Sequence, residues 1–364
     1  MPLRSNERAA ALIIAGGHGT RFWPESRAGR PKPLFSVDGK TSLLADTIAR
    51  VMPLIVRDNV FVLVSADQQA AFRRAVRGQI PPANLIVEPE GRGTAVAIAY
   101  GAAVIGKRLG ADTVVAAMPA DHHIAPAAGF RATIGDAIGL AAASGAIVVV
   151  GITPTRAESG FGYQKIGHAV GAGFKVDSFI EKPSPARARQ MVRSGKFLWN
   201  AGMFVRRIDR LEAQLETHAP ALADAMRRLD ETSRRPNRRQ SRRADLARIY
   251  RGLDFDSFDR VVAEKSRNVL GVRARFRWHD VGSWEGLWEA MRGDGRNVLS
   301  GNVVALGADG VLARGGKRLM VLLGVNDLIA IDTGDAVLIA RRSESQEIRR
   351  VIDELGRRGM GRYL

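Results

Sequence analysis

The sequence predicts an α/β protein, with a mostly parallel sheet covered by helices on both faces and a small C-terminal β-rich unit. Two observations carry this. Through the first half, short apolar runs alternate with helical patterns. Beyond about Gly293 the helical patterns give way to short apolar runs separated by Gly, Asp and Asn. The size allows both units, because 364 residues at 46% hydrophobic suit a globular chain with a full core. The expected division is 1–292 and 293–364.

Taken in order, the expected strands of the first unit are Ala11–Ala15, Val60–Val64, Leu85–Val87, Val114–Met118 and Ile147–Val150. Helical patterns fall at Ser42–Val51, Asp67–Val76, Thr94–Leu109 and Phe130–Ala143. Gly160 to Gly167 reads as a glycine-rich loop. A strand is expected at Val176–Ile180, a helix at Ala186–Val192, a helix at Phe255–Lys265 and a strand at Val269–Phe276. The β-rich unit is expected at Val303–Leu306, Val311–Ala313, Leu319–Leu323, Leu328–Ile331 and Ala336–Ala340, closed by an amphipathic helix from Glu344 to Leu355. No strict repeat is visible, so a β-solenoid stays open on period alone.

Composition removes several function classes. There is no cysteine, which excludes a disulfide scaffold and cysteine-based metal or nucleophile chemistry. A reducing cytoplasm is the expected compartment. Arg4 and Arg8 precede the apolar run Ala9 to Ala15, roughly a signal-peptide layout. That run leads straight into a glycine loop and reads better as the first core strand. No apolar run approaches the ~20 residues of a membrane helix. The net charge is +18, concentrated between Arg227 and Arg251. Such a segment can bind nucleic acid electrostatically. No aromatic residues interleave with Arg234 to Arg243, so there is no stacking platform for single strands, and a solvated insertion is the simpler reading.

The first expected strand breaks into Ala15-Gly16-Gly17-His18-Gly19-Thr20-Arg21. Glycines there let backbone N–H groups approach an anion. Arg21 and Lys32 add positive charge, a combination suited to a triphosphate. A dinucleotide fingerprint counted from Gly17 fails at Phe22. A Walker A motif ending at Gly39-Lys40-Thr41 fails at Leu34. The set of Gly16 to Arg21, Ser26-Arg27 and Pro31-Lys32-Pro33 resembles the signature of sugar-phosphate nucleotidylyltransferases. With Trp23-Pro24 it resembles the mannose-1-phosphate guanylyltransferase branch of that family. The tail from Asp327 to Leu338 is similar to the family's Asp-Thr-x-Asp-Ala stretch. The chain stops before any cupin-like isomerase domain, so a bifunctional form is not expected.

The resemblance implies a Rossmann-like nucleotide-diphospho-sugar transferase fold and transfer of GMP from GTP to mannose 1-phosphate. The products would be GDP-mannose and pyrophosphate, with Mg²⁺ as cofactor. It implies nucleotide contacts at Ala15, Gly16, Gly17, Gly19, Thr20, Glu88, Gly93 and Thr94. Arg21, Lys32 and Lys182 become the catalytic cations, and Asp121 and Asp280 the metal ligands. Gly162, Glu181 and Asn200 fall on the sugar. Read from the residues alone, Asp121 and Asp280 could equally be helix caps, and their separation in sequence gives no reason to pair them. Asn200-Ala201-Gly202 alone reads as a turn. Gly93 stands where the family has Asn. His122 is expected to orient by a hydrogen bond, and His18 and His279 could help bind phosphate. The apolar C-terminal unit could form a homodimer contact or pack on the first unit. The rival readings are the same chemistry on another sugar phosphate or nucleotide, and a nucleic-acid-binding or regulatory protein on an inactive enzyme fold.

Overall fold

The computed structural model describes residues 9–17, 19–27, 29–37, 39–234 and 239–364, without the side chains of 230 and 232–243. The first half builds as its pattern predicts. Strands β1 (Ala9–Ile14), β2 (Val60–Ser65), β3 (Leu85–Glu88) and β4 (Val114–Pro119) alternate with helices α1 (Leu43–Val51), α2 (Gln69–Ala75) and α3 (Thr94–Leu109). These strands pair in parallel in the order β3-β2-β1-β4. Strands buried on both faces read as unbroken apolar runs, which is why they were legible. Along β1, Ala9, Ala11 and Ile13 enter one core and Ala10 and Leu12 the other. Next come β5 (His123–Ala125), α4 (Ala127–Ser144) and β6 (Ile147–Ile152).

The second half departs from expectation in places. Its strands are β7 (Tyr163–Val170), β8 (Gly173–Ile180), β9 (Phe197–Arg207), β10 (Val269–Arg273) and β11 (Arg277–His279). Its helices are α5 (Pro185–Ser194), α6 (Ile208–His218), α7 (Pro220–Arg234), α8 (Arg239–Arg251) and α9 (Trp284–Met291). The expected loop Gly160–Gly167 ends at Gly162. From Tyr163 the chain is a strand, because Tyr163 and Gln164 are fully buried and pair with Trp199 and Leu198. The expected strand Val269–Phe276 stops at Arg273, and a separate strand, β11, pairs antiparallel with β5. The expected helix Phe255–Lys265 shrinks to one π-helical turn, Asp259–Ala263. The full sheet runs β3-β2-β1-β4-β9-β6-β10-β8-β7, with β9 and β8 opposed to the other strands. One face carries α1, α2, α4 and α5; the other carries α3 and α6 to α8.

The C-terminal unit contains β12 (Val298–Ser300), β13 (Val303–Leu306), β14 (Leu312–Arg314), β15 (Met320–Leu323), β16 (Leu328–Asp332), β17 (Val337–Arg341) and α10 (Ile348–Arg357). Val298 stacks in parallel on Leu312, and Leu312 on Ile329, while Val303 stacks on Met320. That is a short solenoid whose coils differ in length, so no strict repeat shows in the sequence. One face of it packs on the flank of the glycine loop. Leu312, Ile329, Ile331, Leu338 and Ile348 share a core with Phe22, Phe35 and Trp284. The Trp23 indole donates to the Tyr363 carbonyl at 2.8 Å, and Trp284 donates to the Trp23 carbonyl at 3.1 Å. Arg27–Asp335 and Arg314–Glu25 ion pairs add to this seam. Among the described residues, no helix is long and apolar enough to cross a membrane.

Candidate active site

The glycine loop leaves the carboxyl end of β1, where open parallel sheets bind ligands. Gly17 and Gly19 have φ of +101° and +58°, a region that favours glycine. At Gly19 a side chain would also overlap Lys32 Cβ, so the loop can lie directly on that lysine. Gly16, Gly17, Gly19, Thr20, Arg21, Lys32, Asp121 and Asp280 line one cleft of about 270 Å³. Ala15 is buried at the strand end behind it, its N–H bonded to Leu63 O at 2.8 Å. Arg21 is exposed and donates to Gln346 Oε1 at 3.2 Å. His18 lies outside the described residues.

Two elements bring the acids together. Asp121 follows β4, whose end lies beside the end of β1 (Pro119 opposite Ile14). Asp280 follows β11, and the β5–β11 pair sets His279 opposite His123. Lys32 Nζ donates to Asp121 Oδ2 at 2.6 Å and to the Asp280 carbonyl at 3.2 Å. Burial alone would raise the Asp121 carboxyl, but the Lys32 ammonium holds it below the usual range. Neither Asp is a helix cap: Ser283 caps α9, and α4 begins only at Ala127. Asp280 Oδ1 accepts from Gly282 N at 3.0 Å across Val281, which is buried and has φ of +45°. A β-branched residue there is strained, and such strain persists where the surroundings fix it. His122 is buried and its Nδ1 accepts from Trp278 Nε1 at 3.1 Å. Burial pulls its pKa down although Asp121 and Asp280 oppose this, consistent with a neutral, orienting ring. His279 is set apart from the glycine-loop cleft and lines a neighbouring aromatic pocket with Trp199 and Trp278.

The expected base contacts lie on the α3 side. Glu88 is 3% exposed, and burial pushes its carboxyl up to about 7. Its Oε2 has no hydrogen-bond partner, and Oε1 lies 3.9 Å from where a Gly16 Cβ would stand. Gly93 has φ of +86°, and a Cβ would come within 2.7 Å of Phe255 O, so the Asn usual in the family has no room here. Thr94 opens α3, and its hydroxyl accepts from Phe258 N at 3.0 Å.

A second group gathers Gly162, Glu181, Lys182 and Asn200. A Cβ on Gly162 would stand 2.5 Å from Glu181 Oε2 and 3.3 Å from Asn200 Cβ. The Glu181 carboxyl is raised, burial outweighing the Lys182 charge. Lys182 Nζ is 3.6 Å from Glu181 Oε1, more than half exposed, with φ of +48°. It does not line the cleft that holds Lys32. Asn200 sits within β9, not in a turn; the strand bulges after it at Gly202, with φ of +66°. Sequence reading missed Asp259, whose Oδ1 accepts from Asn200 Nδ2 at 2.5 Å. Burial and then the Glu181 charge push Asp259 up to about 7. A lone Asp inside a helical pattern gave no signal of this. A larger cavity, about 700 Å³, lies outside both groups, between Arg30, Phe35 and Arg314.

Comparison with known proteins identifies the family and the fold. Residues 10–297 match the nucleotidyl transferase family, and residues 301–355 match the MannoseP isomerase/GMP-like beta-helix domain. The chain belongs to the nucleotidyl transferase family. It is 35% identical over 352 residues to xanthan biosynthesis protein XanB of Xanthomonas campestris pv. campestris, covering 94% of this chain and 72% of that one. It is 34% identical to mannose-1-phosphate guanylyltransferase of Salmonella muenchen (94% and 72% covered) and 33% identical to that of Escherichia coli (94% and 73%). Among solved structures, one described as mannose-1-phosphate geranyltransferase from Thermus thermophilus superposes with a TM-score of 0.85 at 33% identity, covering 96% and 99% of the two chains. The family generally uses a divalent metal.

Proposed function

We propose that this enzyme transfers GMP from GTP to mannose 1-phosphate, giving GDP-mannose and pyrophosphate. The observation that carries the reading is the cleft in which the glycine loop, Lys32, Asp121 and Asp280 meet. Nucleotidyl transfer asks for alignment and charge screening rather than covalent work by the protein. A phosphate oxygen of mannose 1-phosphate attacks the α-phosphorus of GTP, and the bond to the bridging oxygen of pyrophosphate breaks in line. Backbone N–H groups of Gly16, Gly17 and Gly19, with Thr20, would cradle the triphosphate. Arg21 and Lys32 would stabilise the charge that builds on the leaving pyrophosphate. Lys182 would position the attacking phosphate, and Glu181, Asn200 and the Gly162 backbone would read the sugar hydroxyls. Glu88, with an unpartnered carboxyl oxygen, could accept from the N1–H and amino donors of guanine beside Gly93 and Thr94.

The donor set fits Mg²⁺, which takes one or two carboxylates and completes its shell with substrate phosphate oxygens. Asp121 and Asp280 would hold it, and it would neutralise phosphate charge. Lys32 now covers Asp121, so that ammonium would turn toward the triphosphate on loading. We place the catalytic domain at 1–292 and the solenoid at 293–364. The test is pyrophosphate release with Mg²⁺, mannose 1-phosphate and each nucleoside triphosphate in turn. Release with GTP alone is expected. Release with another nucleotide or sugar keeps the mechanism and moves the specificity; none with any pair overturns the reading.

A further inference from the structure

The turn from Phe255 to Glu264 touches both groups of candidate site residues. Phe258 N donates to Thr94 Oγ1, and the Phe255 carbonyl lies against Gly93. Farther along, Asp259 accepts from the Asn200 side chain and Glu264 Oε1 accepts from Glu181 N at 2.7 Å. The Asn200 side chain and the Glu181 backbone are therefore each held by a carboxylate from this turn. The Asn200 amide is held at both ends, since its Oδ1 accepts from Gly202 N at 3.2 Å. That leaves one Nδ2 hydrogen, in a fixed direction, for a ligand hydroxyl. A buried amide with only one anchor would sample other rotamers and give up that direction.

We propose that Asp259 is a positioning residue for the sugar phosphate, fixing the amide of Asn200 so that its remaining N–H points at a sugar hydroxyl. The inference rests on the reading that Asn200 contacts the sugar. Asp259 makes no claim on the nucleotide or on the bonds that change. Its loss therefore raises the KM for mannose 1-phosphate and spares both the KM for GTP and kcat.

The experiment is steady-state kinetics of the full chain with four proteins: wild type, Asp259→Ala, Asp259→Asn and Asn200→Ala. Removing one partner of a buried hydrogen bond predicts a rise of about tenfold in the sugar-phosphate KM of Asp259→Ala. Asp259→Asn keeps an acceptor oxygen for Asn200 and is expected to stay within about threefold of wild type. Equal rises in both KM values, a fall confined to kcat, or no change in Asp259→Ala would overturn the proposal. So would an Asp259→Asn enzyme as impaired as Asp259→Ala. If Asp259→Ala does not fold, Asp259→Leu, which fills the space and removes the acceptor, takes its place under the same criteria. Asn200→Ala separates the two levels. If its sugar-phosphate KM stays normal, the sugar-side reading itself fails; if it rises while that of Asp259→Ala does not, only the role of Asp259 fails.

Discussion

Asp121, half-buried, and Asp259, buried, are carboxyls of the same molecule, yet their surroundings act on them in opposite directions. At the Lys32 end, burial raises Asp121 but the ammonium 2.6 Å away outweighs it, and the group stays charged. At the Asn200 end, no cation among the described residues pairs with Asp259, and burial with the Glu181 charge lifts it to about 7. Glu88 follows the second pattern, lifted to about 7 by burial. The difference separates two tasks. A carboxylate that must meet a cation or a phosphate-bound metal is kept ionised by a partner. One that must hold an amide or read a base can spend much of its time neutral, because hydrogen bonding is its work.

The largest break of this comparison comes from removing a charge at the Lys32 end. Asp280→Asn is expected to lower kcat about 10³-fold or more while the melting temperature stays within about a degree or two. Normal turnover in that variant would take Asp280 out of the mechanism. Next is the brace behind the same end. Ile331 is fully buried in the core shared with Phe22, Phe35 and Trp284. Ile331→Ala should cost about 3 kcal/mol of stability by the usual cavity penalty, measured by denaturant unfolding. It should raise the KM for GTP more than that for mannose 1-phosphate, since the glycine loop rests on this core and Asn200 does not. An equal rise would erase the contrast between the ends.

The last effect, which vanishes at low pH, is a matter of protonation. Glu88 has a folded-state value of about 7 against an ordinary 4.5, so the folded chain binds an extra proton between them. The stability this gives is complete below about pH 4.5 and is lost as pH rises through 7. Glu88→Gln keeps the shape and removes the titration. Relative to wild type it should gain stability steadily from pH 4.5 to 7, up to about 3 kcal/mol, and level off above. Parallel melts from pH 5 to 8 would show this, and a constant offset would mean that Glu88 is charged in the fold.

Much of the frame was legible because its strands are buried on both faces. Val60–Ser65 and Ile147–Ile152 are wholly buried and read as apolar runs. Thr94–Leu109 kept its expected bounds, set off by glycines at both ends. The strands that hid carry polar or glycine residues: Gln164 in β7, and Asn200 and Gly202 in β9. Their strand character comes from pairing with distant segments, which no local pattern records. The site divides the same way. The glycine loop and Lys32 are near in sequence and were visible, whereas the meeting of Asp121 with Asp280 depends on the pairing of β5 with β11. The grip of Asp259 on Asn200 needed the π-helical turn to fold against β9. The arginine-rich segment stays outside this account, since residues 235–238 and most neighbouring side chains lie outside the described residues.

The indole of Trp23 reaches a carbonyl 340 residues along the chain. During synthesis the glycine loop emerges some 340 residues ahead of the face that supports it. At roughly 5–20 residues per second, about 20 to 70 s separate the two. For that interval the aromatic flank of the loop, Phe22, Trp23 and Phe35, waits without the surface it will bury against. Chaperone demand on this chain should therefore rise within that interval and fall when the solenoid closes over the loop.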